Sequence, residues 1–182
     1  MKINIGGEQI KDGWKIFNIQ KKPGVDFIGD ISDLGQFKDN SVEEIYISHV
    51  FEHVPQKKVD KTLKGIFRIL KPSGKFYVSV PDMDVLFEEF KNVKDKKKKI
   101  HILRMIFGGQ VDEYDFHYFG YSYDILHDFL KSVGFKKIEK VERFNLFEDT
   151  SDYKPYGFPI SLNVIAEKWF KSHKKFDISH YY

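Results

Sequence analysis

Three stretches of this chain carry residue types whose spacing could do chemistry. The first is Ile3-Asn4-Ile5-Gly6-Gly7, an apolar alternation that runs straight into paired glycines. Glycine has no Cβ, so backbone can close on a ligand there, and a strand ending in glycines is how many nucleotide pockets begin. The same residues also describe an ordinary strand-end turn. The second is Ser48-His49-Val50-Phe51-Glu52-His53. Its two imidazoles, at i and i+4, share one face of a helix and could ligate a metal. The acid stands in the wrong place for a metalloprotease helix, and no third ligand can be picked out. The expectation is therefore no metal, with Glu52 and His53 steadying the loop. The third stretch, from Asp112 to Ser122, reads DEYDFHYFGYS and is dense in aromatic and ionisable side chains without a clean period.

A fourth candidate, the run Lys94-Asp95-Lys96-Lys97-Lys98-Lys99, could guide a phosphate backbone. It lacks the interleaved aromatic residues that stack on bases, and a solvated charge run between helices is the simpler reading.

Composition bounds what these residues can serve. The chain has 182 residues, enough for one domain with a real core, and a net charge of +3, too small to argue for nucleic acid by itself. It has no cysteine, which excludes disulfides, thiolate metal sites and a cysteine nucleophile. Neither a signal-peptide pattern nor an apolar run of membrane-spanning length is present, so the expectation is a cytoplasmic protein with no membrane partner. Eighteen Phe and ten Tyr make the chain aromatic-rich, for which core packing is the ordinary use.

The elements that must position the candidates follow from periodicity. Short strands are expected over 2–5, 14–19, 25–31, 43–51 and 76–80. Between the last two, Val59, Leu63, Ile66, Phe67 and Leu70 recur at helical spacing. A Pro-Ser-Gly turn at 72–74 then leads into the strand that Pro81 ends. Helices are expected over 85–90 and 100–107. Another should run from a Ser122 cap through Leu126, Phe129 and Leu130 to Gly134. Residues 135–147 and 160–168 read as an antiparallel edge pair. Strands alternating with helices make an α/β fold, a mostly parallel sheet with helices on both faces. Ligands in such sheets sit at the carboxyl ends of the strands. The domain is expected to span 1–168, with 169–182 as a C-terminal tail.

The blocks VDFIGDISDL, SVEEIYISHVFEHV, IFRILKPSGKFYVSVPD and SLNVIAEK resemble class I S-adenosylmethionine-dependent methyltransferases. More narrowly, they resemble the small bacterial type 11-like methyltransferases associated with surface-polysaccharide genes. The resemblance runs from Ile3 to about Lys168. It implies a Rossmann-like, doubly wound, seven-stranded sheet whose last strand is inserted antiparallel. It also implies S-adenosylmethionine, or its product S-adenosylhomocysteine, as the bound cofactor.

By that resemblance the cofactor loop falls on Gly6 and Gly7, and the ribose-binding acid on Asn18. The acid near the adenine falls on Asp30, with Ile31 beside the ring, and the methionine end falls on Ser48 and His49, with Glu52 and His53 near. Two departures stand out: Gly-Gly-Glu replaces the usual glycine loop, and an amide replaces the ribose acid. Gly108-Gly109-Gln110, Tyr114-Asp115 and His117 match residues on the family's acceptor side, which makes His117 the candidate general base, with Asp115 or Asp112 as its orienter; the equal alternative is that His117 and the tyrosines only pin a lid over the pocket. The implied activity is methyl transfer to a small polar acceptor, a sugar or related metabolite. The altered loop and Asn18 also motivate an alternative, a catalytically decayed methyltransferase-fold binding or regulatory module.

Overall fold

The computed structural model describes residues 1–169. Seven strands form one sheet: β1 (Lys2–Ile5), β2 (Trp14–Asn18), β3 (Phe27–Ile28), β4 (Val42–Ser48), β5 (Leu70–Pro81), β6 (Phe135–Val141) and β7 (Ser161–Lys168). Their order across the sheet is β3-β2-β1-β4-β5-β7-β6. The first five pair in parallel, and β7 runs antiparallel to both β5 and β6. This is the Rossmann-like, mostly parallel sheet with an inserted antiparallel strand that the sequence implies. Among the described residues four α-helices accompany it: α1 (Val59–Ile69), α2 (Met83–Asn92), α3 (Lys96–Phe107) and α4 (Tyr123–Val133). No helix among the described residues is long and apolar enough to cross a membrane. The tail expected from Trp169 onward lies, Trp169 excepted, outside the described residues.

The two sides of the sheet are built differently because successive strand residues point to opposite faces. Ile3, Ile5, Ile45, Ile47, Phe76, Val78, Leu162 and Val164 point one way, into an aliphatic core shared with Leu63 and Ile66 of α1 and with Leu126 and Leu130 of α4. Each such buried side chain is worth about 2 kcal/mol of transfer free energy. Trp14, Tyr46, Tyr77 and Ile165 point the other way and pack against Phe144, Leu146 and Phe147. That second face is covered here by the chain leaving β6. The α2–α3 pair has its own apolar cluster with Ile160.

Local chemistry sets the ends of these elements. Asp82 and Asp95 cap α2 and α3, each carboxylate accepting from two backbone N–H groups of the first turn. The Asp95 cap starts α3 at Lys96, four residues before the apolar pattern begins. Gly134 closes α4 in the left-handed region at φ 111°. Ser122 occupies the N-cap position of α4, but its hydroxyl donates to Asp124 and does not cap the helix.

The strand expected over 25–31 shortens to Phe27–Ile28, and two further expectations change in detail. The Pro-Ser-Gly turn is a bulge inside β5: Val42 opposes Leu70 while Glu44 already opposes Lys75. Gly74 is required there, because a Cβ would lie 2.9 Å from the Glu43 carbonyl oxygen. The strand expected over 135–147 stops at Val141, and Phe144 to Phe147 cross onto the second face, where three buried aromatic side chains need covering.

Candidate functional site

Residues 6–13 and 19–26 join β1 to β2 and β2 to β3 without any helix. Parallel crossovers usually take a dozen residues or more, so these loops are short; each returns the chain from the carboxyl end of one strand to the amino end of the next, and its first residues stand at the sheet's carboxyl edge. There they enclose a cavity of about 560 Å³. Gly6, Asn18, Asp30 and Ile31 line it, together with Val50, His53, Tyr114, Asp115 and Tyr118.

The glycine corner is tightly tied. Gly6 holds φ at +80° and its N–H donates to the Phe17 carbonyl at 2.8 Å. A Cβ on Gly6 would meet Val50 Cγ2 at 2.3 Å, and one on Gly7 would meet the Asn4 amide at 2.1 Å. Gly7 thus packs behind the wall and is not part of it. Asn18, 6% exposed, donates from Nδ2 to the carbonyls of Gly6 (3.2 Å) and Gly7 (3.4 Å) and accepts from the Gln20 N–H at 3.0 Å. A carboxylate could not donate to those carbonyls, so the amide is what fixes the loop. Glu8, the odd residue in the loop, pairs with Lys22 at the rim.

Asp30 follows β3. It accepts from the Ser32 N–H at 2.8 Å, and Lys58 stands 3.5 Å from its other oxygen. Partial burial opposes its ionisation, but the Ser32 hydrogen bonds and the Lys58 ammonium outweigh that and hold its carboxyl below the usual range. It is ionised at neutral pH. The sequence reading missed Lys58 because only the register of the turn before α1 aims it at Asp30.

The histidine corner begins where β4 ends. His49 turns the chain at φ 53°, and its N–H donates to Ser79 on β5. Its Nε2 lies 2.8 Å from the Ser161 hydroxyl, whose own proton goes to the Thr150 carbonyl, so Nε2 is the donor. Its Nδ1 faces Glu52 Oε1 at 3.3 Å. Glu52, on a short 3₁₀ turn, is fully buried, and neither of its oxygens accepts a hydrogen bond. His117 Nε2 lies 4.0 Å from the same oxygen, and the His117 and His53 rings meet edge to face at 4.7 Å. His53 donates from Nδ1 to the Phe116 carbonyl at 3.1 Å, which leaves Nε2 with its lone pair.

Burial disfavours charge on Glu52, yet the surrounding histidines outweigh it and hold the carboxyl below its ordinary value. For His117 burial is the largest influence and depresses the ring; the attraction of Glu52 only partly offsets it.

Backbone bonds clamp the two halves of this corner. The N–H groups of Tyr118 (2.8 Å) and Phe119 (3.3 Å) both donate to the Glu52 carbonyl, and His117 N–H donates to Phe107. Gly108, at φ +85°, lets the strand-like segment return, since a Cβ there would lie 2.3 Å from the Asp115 carbonyl oxygen.

The sequence-derived residues therefore separate. Gly6, Asn18, Asp30, Ile31 and Asp115 reach the cavity. His117 stands behind His53, its side chain 10% exposed. The expected pairing of His117 with Asp115 is not made: the Asp115 carboxylate accepts from the Val111 N–H, while His117 faces Glu52. Ser48 points to the second face, where its hydroxyl donates to Asp149. His49 is taken up by Ser161 and Glu52. The lysine run forms the first turn of α3, with Lys98 over the Tyr156 ring and Lys99 over the Phe90 ring.

Residues 2–78 match the family model described as "Methyltransferase domain". Among solved structures, an S-adenosylmethionine-dependent methyltransferase from Archaeoglobus fulgidus is similar at TM-score 0.59 and 14% identity, over 92% of this chain and 85% of that one. A Thermotoga maritima methyltransferase, described as a possible histamine N-methyltransferase, is similar at TM-score 0.56 and 18% identity, over 92% and 81%. Human N-acetylserotonin methyltransferase in complex with S-adenosylmethionine is similar at TM-score 0.54 and 15% identity, over 93% of this chain and 47% of that one. These likenesses are of fold. No curated protein matches.

Proposed function

The family match over residues 2–78 and the fold of the neighbours support a class I S-adenosylmethionine-dependent methyltransferase, and we propose that this chain transfers a methyl group to a small polar acceptor, a sugar or related metabolite. The observation that carries the reading is one cavity. It is lined by the strand-end residues Gly6, Asn18, Asp30 and Ile31, and also by Asp112, Glu113, Tyr114, Asp115 and Tyr118. In this reading the cofactor lies along the first group and the acceptor against the second. The ionised Asp30 accepts from hydroxyl or amino hydrogens with charge-assisted strength. Ile31 offers the adenine an apolar surface, and Asn18 acts through the loop it holds in place. Methyl transfer is an in-line displacement, so the protein's main task is to position two reactants. A hydroxyl acceptor also needs a destination for its proton, and the histidine corner, with His53 on the wall, offers one. The cysteine-free composition fits a reducing, cytoplasmic setting for this chemistry.

Calorimetric titration with S-adenosylhomocysteine tests the reading. Binding in the micromolar range is expected, weakened in Asp30→Ala; folded protein that binds nothing at about 1 mM would overturn it. One observation favours the alternative of a catalytically decayed binding module: residues 6–13 form no helix, so no helix N-terminus backs the ligand's charged end. Cofactor binding with no methyl transfer to any of a panel of sugars and small amines would favour that module.

A further inference from the structure

We propose that Glu52, His53 and His117 form a site for one divalent transition-metal ion of zinc-like chemistry, bordering the cavity.

Two imidazoles and one carboxylate are the donor set of catalytic zinc sites that keep a fourth position open. Here one ligand atom from each residue lies within 4.8 Å of the others. Bonds of about 2 Å place tetrahedral ligands roughly 3.3 Å apart, so side-chain torsions must close the widest pair by about 1.5 Å at most.

A second, independent observation points to a missing cation. Glu52 is fully buried and neither of its oxygens accepts a well-aligned hydrogen bond; a neighbouring ring nitrogen, His49 Nδ1, stands 3.3 Å from Oε1. The histidines around it favour its charged form, but a buried carboxylate stays costly while its oxygens lack aligned bonds. A dication supplies both the charge and the bonds the oxygens lack.

The surroundings also prepare the donors. His53 gives its Nδ1 proton to the Phe116 carbonyl, the outer-shell contact that leaves Nε2 free to ligate. His49, held by Ser161, sets its ring against Glu52 and orients the carboxylate. The turn carrying Glu52 and the segment carrying His117 are joined by backbone bonds, so two of the ligands are fixed relative to one another before any ion arrives. His53 belongs both to the cluster and to the cavity wall. An ion held there borders the space assigned to the acceptor; with the His53 lone pair then bound to it, the ion replaces that ring in handling the acceptor's proton, by polarising a bound water or hydroxyl.

The test is a Co²⁺ titration of the chelator-treated full-length chain, followed by visible absorption and then by Zn²⁺ competition. It needs no cofactor, so its failure is separable from failure of the methyltransferase reading. His173 and His180, which lie outside the described residues, are first replaced by alanine to remove tail ligands. The expected result is one equivalent of bound Co²⁺, displaced by Zn²⁺, with affinity at least about 100-fold weaker in His117→Ala and in His53→Ala. The remote His101→Ala should leave it unchanged. His53 is only partly buried, so its variant stays informative if His117→Ala fails to fold. Absence of Co²⁺ and Zn²⁺ binding by the parent at about 1 mM, or affinity in both ligand variants equal to the parent's, would overturn the proposal.

Discussion

The cavity has two corners at neighbouring strand ends that treat their polar groups in opposite ways. At the glycine corner every arm of the Asn18 amide is spent on the chain itself, and Glu8 is matched by Lys22. At the histidine corner a fully buried carboxylate accepts no well-aligned hydrogen bond, though His49 stands 3.3 Å from it. A folded chain tends to satisfy its buried polar groups, so the first corner is a finished surface on which a ligand can lie. The second is an unfinished one that a ligand would complete. The contrast also relocates an apparent defect: the amide at Asn18 is a brace for the loop and suits the carbonyls it faces.

The largest effect that would break this comparison is expected from Gly6→Ala. The new Cβ meets Val50 at 2.3 Å in a backbone with φ +80°, so strain and overpacking together should cost about 3 kcal/mol. Urea unfolding measures it. A cost under about 1 kcal/mol would mean that the loop moves freely and that the corner is not tightly tied.

Asn18→Asp comes next. It removes two donated hydrogen bonds and sets a carboxylate against two carbonyl oxygens, so stability should fall by about 2 kcal/mol and S-adenosylhomocysteine should bind more weakly. Tighter binding in this variant would show the amide to be a remnant of a better site and would erase the distinction between the corners.

The smallest effect separates the corners by pH. His117 sits below its ordinary 6.5 in the folded chain, chiefly through burial. Above pH 6.5 neither state holds the extra proton; as pH falls below it, the unfolded chain takes the proton first, so stability declines. Asp30 is also depressed, but its contribution is lost only below its ordinary 3.8. Chemical unfolding at a series of pH values should therefore show a loss beginning near neutrality that His117→Gln flattens and Asp30→Asn leaves in place. An unchanged profile in His117→Gln would remove the histidine from the account.

Much of the architecture was legible because it repeats locally. The alternation in Ile45-Tyr46-Ile47 and the helical spacing of Leu63 and Ile66 each record one buried face, and Gly134 marks a helix end by its own conformational freedom. The glycine corner could be located for the same reason, since its residues stand at or just after strand ends. Asn18 could be placed but its task could not, because two loop carbonyls within its reach leave no trace in the sequence around it. Phe144 to Phe147 alternate like a strand, yet β7 pairs with β6 only as far as Val141, and the exposed aromatic face decided where the rest of the segment went.

The histidine corner marks the limit. The sequence by itself determined the strands, the helices, the strand-end loops and the spacing of His49, Glu52 and His53, all of which depend on near neighbours along the chain. Only the tertiary structure decided that His117 would stand against Glu52, that Asp115 would not be its partner, and that His53 would reach the cavity. Those positions follow from a return of the chain at Gly108 and from backbone bonds between distant segments, a contact no local period encodes.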